Sequence, residues 1–179
     1  MSSMVHPPLH ERLAGIRLLL LDVDGVLTDA TVQITGGAPE SKSFHIRDGL
    51  GLVLARKHGI KVGWISARPS AATTARAEEL KIDFVHQDKE PKHLAAERIA
   101  QTAGVTWDQI CYVGDDIVDL GCLKRAGMAV APADAIPEAR DLAHYVTLAN
   151  GGRGAVREVV ELILKAQDKW DAIVAEYAQ

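Results

Sequence analysis

The chain has 179 residues, of which 47% are hydrophobic and 25% charged, with a net charge of -4. This length fits one domain of ordinary size, and the composition excludes a disordered chain. The slight negative charge and the lack of a basic run argue against nucleic acid or a membrane surface as a partner.

Targeting and redox features point to the cytoplasm. No apolar stretch reaches the ~18 residues that a membrane span requires. The first ten residues lack the basic and apolar segments of a signal peptide. Both cysteines, Cys111 and Cys122, lie in apolar surroundings, as packing residues do in a reducing compartment. We therefore expect one cytoplasmic domain over residues 1–179.

Short apolar runs alternate with helix-like segments along the chain. The runs predict strands at 17–23, 61–66, 82–86, 110–114, 128–132 and 144–148. The segments between them predict helices at 48–58, 70–80, 91–103, 116–125 and 135–141. This alternation is typical of a parallel sheet covered by helices on both faces. The sequence therefore predicts a doubly wound, Rossmann-like α/β fold.

Two segments depart from the alternation. Residues 30–46 have period-two patterning on both sides of a Gly-Gly pair, which predicts a β-hairpin where a crossover helix would be expected. Residues 151–154, GGRG, predict a flexible loop. Behind it, apolar residues recur at helical spacing and predict one long helix over about 155–177.

Polar residues follow the predicted strands. Asp22 and Asp24 end the first apolar run, Ser66 ends the second, and Asp115 follows the fourth, while Lys92 opens the helix after the third. Ligands bind beyond the carboxyl ends of the strands in open α/β sheets, so these side chains are expected to converge. Converging carboxylates favour a hard cation, and Mg²⁺ fits because it leaves positions for a phosphate oxygen. The pattern predicts phosphoryl chemistry with an aspartate as nucleophile.

Four motifs of the chain resemble those of a known family. The motifs DVDGVLTD (22–29), Ser66 in WISAR, Lys92 and GDDIVD (114–119) resemble the four motifs of the haloacid dehalogenase superfamily of phosphatases. The resemblance implies that Asp22 is the nucleophile and that Asp24 is the general acid and then the base. It further implies that Ser66 hydrogen-bonds the phosphoryl group and that Lys92 balances charge.

The metal site is also implied by this resemblance. It assigns Mg²⁺ to Asp22, Asp115 and the backbone carbonyl of Asp24, with Asp116 and Asp119 in weaker roles. The acid role of Asp24 rests on the resemblance as well. An ordinary aspartate has a pKa of about 3.9, so about one in a thousand would be protonated at pH 7.

Several residues also have a purely structural interpretation. Ser66 alone is compatible with a helix cap, and Lys92 alone with a solvated side chain. Lys89 is a rival to Lys92, which we prefer because it follows the proline that opens the helix. Asp29 could equally cap the hairpin, and His45 is expected to be a structural or rim residue.

The segments after Asp29 and after Ser66 are too short to hold a cap domain, so we expect a capless site. FHIRDGLG (44–51) and NGGRGAVREVVELIL (150–164) resemble a capless subfamily that acts on 3-deoxy-D-manno-octulosonate 8-phosphate, a sugar-acid phosphate of lipopolysaccharide synthesis. The resemblance implies a homotetramer of packed hairpins with active sites completed at subunit interfaces. The candidate substrate-binding residues are Arg47, Arg68 and Arg153.

Several alternatives remain open. ISAR stands where Thr-Gly-Arg is expected, although the serine keeps the hydroxyl. The substrate could be a nine-carbon ulosonate 9-phosphate or another small phosphate ester. GGRG could simply join a strand to a helix. A signalling receiver domain would carry its phosphorylated aspartate where this chain has Ser66. A silent phosphate-binding scaffold would not need the full set of acids.

Overall fold

The computed structural model describes residues 8–37 and 39–179. The expectation of no signal peptide therefore falls largely outside the described residues, as does Ala38 of the predicted hairpin. Six strands form one parallel sheet in the order β3-β2-β1-β4-β5-β6. The strands are β1 (Leu18–Leu21), β2 (Lys61–Ser66), β3 (Phe84–Gln87), β4 (Ile110–Val113), β5 (Met128–Ala131) and β6 (Tyr145–Val146). Each lies in or overlaps a predicted strand, and the doubly wound fold is confirmed.

Helices cover both faces of the sheet. They are α1 (Leu9–Ala14), α2 (Ile46–Lys57), α3 (Ala71–Glu79), α4 (Lys92–Ala103), α5 (Leu120–Leu123), α6 (Pro137–Leu142), α7 (Ala155–Ala166) and α8 (Trp170–Tyr177). The short helix α1 was not predicted, because it buries a single residue, Leu13, and carries no periodic pattern. Within the described ranges, none of the helices is both long and apolar enough to cross a bilayer.

The four leucines of β1 explain its uninterrupted apolar run. Leu19 and Leu21 belong to the core layer that holds α2 and α7, whereas Leu18 and Leu20 belong to the layer that holds α4. All four are fully buried, as expected for a central parallel strand with helices on both faces. The strand that leads to Asp22 is therefore fixed from both sides.

Three predicted elements differ in detail. In the described part of the predicted hairpin 30–46, the pairing is one antiparallel bridge between Gln33 and Ser41. The helix predicted over 116–125 starts with a 3₁₀ turn, Ile117–Asp119, before α5. The predicted helix over 155–177 is two helices, because Asp168 between them has a left-handed backbone with φ of 55°. A helix cannot continue through that conformation.

The glycine-rich loop packs tightly onto the loop that follows β1. Gly151 and Gly152 are buried, and a side chain at either position would collide with the backbone of residues 25–29. The Gly152 amide donates a hydrogen bond to the Val26 carbonyl (2.9 Å). Glycine is therefore needed here for close approach of two backbones, which ties the C-terminal helices to the loop that carries the acids.

Candidate active site

A cleft of about 160 Å³ opens at the carboxyl ends of β1 and β2, beside the start of α4. The chain changes direction here, since β1 lies between β2 and β4, so this is the switch point where α/β sheets bind ligands. The residues that line the cleft are Asp22, Asp24, Ser66, Ala67, Arg68, Lys92, Asp116 and Val118. Five of the predicted site residues are thus brought together.

Lys92 connects the nucleophile candidate to the second acidic motif. Its ammonium lies 2.6 Å from Asp22 Oδ1 and 2.7 Å from Asp119 Oδ1, and all three side chains are buried. Burial lowers the pKa of Lys92, but the charges of Asp22 and Asp119 outweigh burial and raise it. Lys92 is therefore a fixed cation. Its rival Lys89 is exposed on the loop before α4.

Asp119 has every lone-pair direction of its carboxylate occupied. Oδ1 accepts hydrogen bonds from Lys92 and from the Tyr112 hydroxyl, both at 2.7 Å. Oδ2 accepts from the backbone amides of Asp115 (3.1 Å) and Asp116 (3.2 Å). A carboxylate offers about four acceptor positions, and four donors use them. Asp119 therefore holds the loop and Lys92 in place, which leaves Asp22 and Asp115 as the carboxylates open to a cation.

Burial and nearby negative charge raise the pKa values of Asp22 and Asp115. Burial, with Asp119 as the second cause, raises the pKa of Asp22 well above its ordinary value, and Lys92 opposes this. The same two causes raise the pKa of Asp115 to about 6. Asp115 Oδ1 is buried without a hydrogen-bond partner. Oxygen atoms of Asp22, Asp115 and Asp119 all lie within 4.8 Å of one another.

This arrangement fits Mg²⁺. A buried carboxylate oxygen without a partner is costly unless a cation pairs with it, and hard cations prefer oxygen ligands. Gly25 supports the fit, because its φ is 98° and a side chain there would collide with the Asp115 carboxylate. The loop after β1 can therefore approach Asp115 closely only with glycine at this position.

Asp24 is the partly exposed acid of the cleft. Its side chain is 26% exposed, and its Oδ1 lies 2.7 Å from the ammonium of Lys42. Lys42 comes from the segment that the sequence predicted as a hairpin, and its side chain is fully buried. The predicted backbone-carbonyl role of Asp24 toward a metal stays a prediction.

Arg68, which lines the cleft, forms an ion pair with Glu40. Arg68 donates to both oxygens of Glu40, at 2.9 Å and 2.5 Å to Oε2 and 3.3 Å to Oε1. The Arg68 hydrogen bonds are the main cause that lowers the pKa of Glu40. The Ser66 hydroxyl accepts from the Arg68 amide (3.0 Å) and donates to the Arg68 carbonyl (3.1 Å). To bond a phosphoryl oxygen, Ser66 must turn its one proton away from Arg68.

The other two candidate arginines do not line this cleft. Arg47 is exposed in the first turn of α2. Arg153 lies 3.3 Å from Asp29, in a neighbouring cleft of about 160 Å³. Asp29 also accepts hydrogen bonds from the backbone and hydroxyl of Thr31, at 3.2 Å and 2.5 Å, which is a turn-capping role. Of the three candidate arginines, the structure therefore brings only Arg68 to the acids.

The sequence interpretation missed the contributions of Glu40, Lys42 and Tyr112. The period-two pattern of this segment could have indicated Glu40 and Lys42. These two residues and Phe44 face the domain, whereas Ser41 and Ser43 between them are exposed. Phe44 stacks on Trp64, with ring centres 6.2 Å apart. The sequence did not indicate a role for Tyr112 in the site, because a tyrosine in a buried strand is usually a core residue.

Asp48, the first residue of the helix that the sequence predicts over 48–58, has its structural role elsewhere. It accepts hydrogen bonds from the amides of Gly154 (3.3 Å) and Arg157 (2.8 Å), at the start of α7. It therefore caps a helix more than a hundred residues away, which no local pattern encodes.

The fold and the cleft together define a hydrolase that acts on phosphate monoesters. The family of haloacid dehalogenase-like hydrolases matches residues 64–159. A 3-deoxy-D-manno-octulosonate 8-phosphate phosphatase of Yersinia pestis is 41% identical over 159 residues, which cover 89% of this chain and 85% of the relative. The phosphatase of Escherichia coli K12 is 40% identical over 157 residues, 88% of this chain and 84% of the relative.

Solved structures agree with the sequence comparison. The octulosonate 8-phosphate phosphatase of Moraxella catarrhalis, in complex with a magnesium ion, a phosphate ion and the KDO molecule, superposes with a TM-score of 0.91 and 36% identity. The match covers 94% of this chain and 97% of that one. The chain belongs to the haloacid dehalogenase-like hydrolases and, within them, to the family of 3-deoxy-D-manno-octulosonate 8-phosphate phosphatases.

Proposed function

We propose that this chain is a Mg²⁺-dependent phosphatase that hydrolyses 3-deoxy-D-manno-octulosonate 8-phosphate to the free sugar acid and phosphate. The observation that carries the proposal is the buried Asp22–Lys92–Asp119 cluster beside Asp115, in a cleft that also holds Asp24. Relatives of that activity cover most of the chain. The same chemistry in a lipopolysaccharide pathway would place the protein in the cytoplasm, and two buried free cysteines are compatible with that compartment.

Asp22 is the proposed nucleophile. A carboxylate oxygen of Asp22 attacks phosphorus, the bond from phosphorus to the sugar oxygen breaks, and an aspartyl phosphate forms. Lys92, 2.6 Å away, supports the ionised state of Asp22 against burial. When bound at Asp22 and Asp115, Mg²⁺ would supply neutralisation of the phosphate charge.

Asp24 is the proposed acid and base. Its proton passes to the departing sugar oxygen, so the sugar acid leaves as an alcohol. Asp24 then takes a proton from water as the water oxygen attacks phosphorus, which releases phosphate and restores Asp22. The partial exposure of Asp24 supports this role, because the group must meet both the sugar and water.

Substrate contacts are proposed for Arg68 in the cleft, and for Arg47 and Arg153 across subunit interfaces. The supporting feature is an exposed apolar stripe on α2, formed by Ile46, Leu50 and Val53 at helical spacing. Such a stripe is typical of an interface, and we propose a homotetramer. Its mass in solution would be about 77 kDa, four times the 19.3 kDa chain. A monomeric mass in light scattering would contradict the tetramer.

The test of the chemistry is phosphate release from the octulosonate 8-phosphate with Mg²⁺, for the wild type and Asp22→Asn. We expect the variant to lose turnover, because an amide cannot act as the nucleophile. Asp141→Asn is the matched control, since Asp141 is exposed on α6, away from the cleft. Retained activity in Asp22→Asn would contradict the mechanism.

A further inference from the structure

We propose that Lys42 is a positioning residue that fixes the orientation of the Asp24 carboxylate for proton transfer to the leaving oxygen. This inference rests on the proposed phosphatase function, in which Asp24 is the acid. It adds a residue from the segment before α2 to a site otherwise built at the strand ends.

The ammonium of Lys42 is held on several sides. It lies 2.7 Å from Asp24 Oδ1 and 3.7 Å from Glu40 Oε1, and it donates to the Thr73 hydroxyl on α3 at 3.4 Å. The Lys42 side chain has no exposed surface. Burial of a lysine is costly unless the charge is paired, so this placement depends on Asp24 and Glu40.

Lys42 is not placed to bind the substrate. It does not line the cleft, whereas Asp24 does. Among the described residues, Lys42 forms the one ion pair with the Asp24 carboxylate, which Arg68 reaches only through its charge. Without Lys42, the Asp24 side chain would lose this contact in a partly solvated cleft.

The ion pair with Lys42 determines which oxygen of Asp24 is used. Oδ1 faces the ammonium and is buried, so the exposed part of the Asp24 side chain, which is 26% exposed as a whole, does not include this oxygen. The proton that goes to the sugar oxygen is therefore carried on Oδ2. As the bond from phosphorus to the sugar oxygen breaks, that proton moves from Oδ2 to the sugar oxygen, and Oδ1 stays bound to Lys42.

The test compares two leaving groups, because only one of them needs a proton. The sugar leaves as a strongly basic alkoxide unless it is protonated, whereas p-nitrophenolate leaves readily without help. General acid catalysis contributes about 10²–10⁴-fold, so we expect Lys42→Met to lower kcat/KM for octulosonate 8-phosphate about 100-fold. The value for p-nitrophenyl phosphate should change by less than about threefold. Lys42→Arg, which keeps a cation with donors only, should recover much of the loss.

The matched control is Lys89→Met, since Lys89 is exposed and lies outside the cleft. Equal losses on both substrates in Lys42→Met would overturn the proposal, because a damaged cleft affects both. A loss confined to KM would also overturn it, because it would mean substrate binding by Lys42.

Folding and function are separated by two further measurements. Thermal unfolding shows whether Lys42→Met is folded, and if it is not, Lys42→Gln is measured with the same two substrates and the same criteria. A wild type that releases no phosphate from either substrate would contradict the proposed function itself. An active wild type with equal losses in the Lys42 variants would contradict only the role of Lys42.

Discussion

Asp119→Asn tests whether Asp119 organises the site. The four donors around its carboxylate come as two pairs, one at each oxygen: Lys92 with Tyr112, and the amides of Asp115 and Asp116. Asparagine has one carbonyl oxygen and one NH₂ group, so in either orientation two donors face another donor. The variant loses two hydrogen bonds to a charged acceptor in a fully buried place.

The expected cost follows from these contacts. A hydrogen bond to a charged group contributes about 1.5–3 kcal/mol, and breaking a buried ion pair costs about 3–5 kcal/mol. Lys92 keeps Asp22 as a partner, so we expect a loss near the low end, about 3 kcal/mol. For a chain of this size that corresponds to a fall in Tm of roughly 6–12 °C.

The assay is calorimetric unfolding of Asp119→Asn beside the exposed control Asp141→Asn, which should stay within about 0.5 kcal/mol of the wild type. Tyr112→Phe removes one of the four donors to this charged acceptor, and we expect it to cost about 1.5–3 kcal/mol. A Tm for Asp119→Asn within about 2 °C of the wild type would refute the reasoning.

Three further predictions concern the metal, α7 and the tail. Burial and Asp119 raise the pKa of Asp115 from 3.8 to about 6, so this carboxyl lowers the stability of the metal-free protein as pH rises between those values. Mg²⁺ must displace that proton and any proton on Asp22, whose pKa is also raised, so its affinity, measured by calorimetry, should rise with pH from 4 to 7; a flat profile over this range would contradict this. Asp48→Ala leaves two amides of α7 without an acceptor and should cost about 1–2 kcal/mol in thermal unfolding, and an unchanged Tm would argue against the cap. Arg153→Ala breaks only an exposed pair, so stability should change by less than about 0.5 kcal/mol. Its KM for the sugar-acid phosphate should rise, and an unchanged KM would exclude Arg153 from substrate binding.

Much of the fold could be predicted because its signals are local. A buried central strand needs a continuous apolar run, as at Leu18–Leu21, and the end of each run marks the edge where ligands bind. The break between α7 and α8 had no such signal. Asp168 is exposed and adopts a left-handed conformation, while the apolar spacing continues across it.

The site residues also fall into those that sequence position predicted and those that it did not. Asp22, Asp24, Ser66 and Lys92 stand at strand or helix ends, so sequence position alone predicted that they would meet. Lys42 and Tyr112 reach the site through tertiary packing, the first from an irregular segment and the second from inside a strand. Their roles depend on distances between elements, which residue spacing does not specify.

The most direct measurement is the rate of phosphate release, with Mg²⁺, from octulosonate 8-phosphate, a nine-carbon ulosonate 9-phosphate, simple sugar phosphates and p-nitrophenyl phosphate. The proposed function predicts the highest kcat/KM for the eight-carbon sugar acid and loss of release when Mg²⁺ is chelated. Equal, weak turnover of all the esters would contradict the substrate but keep the chemistry. No release from any of them would contradict phosphatase activity at this cleft.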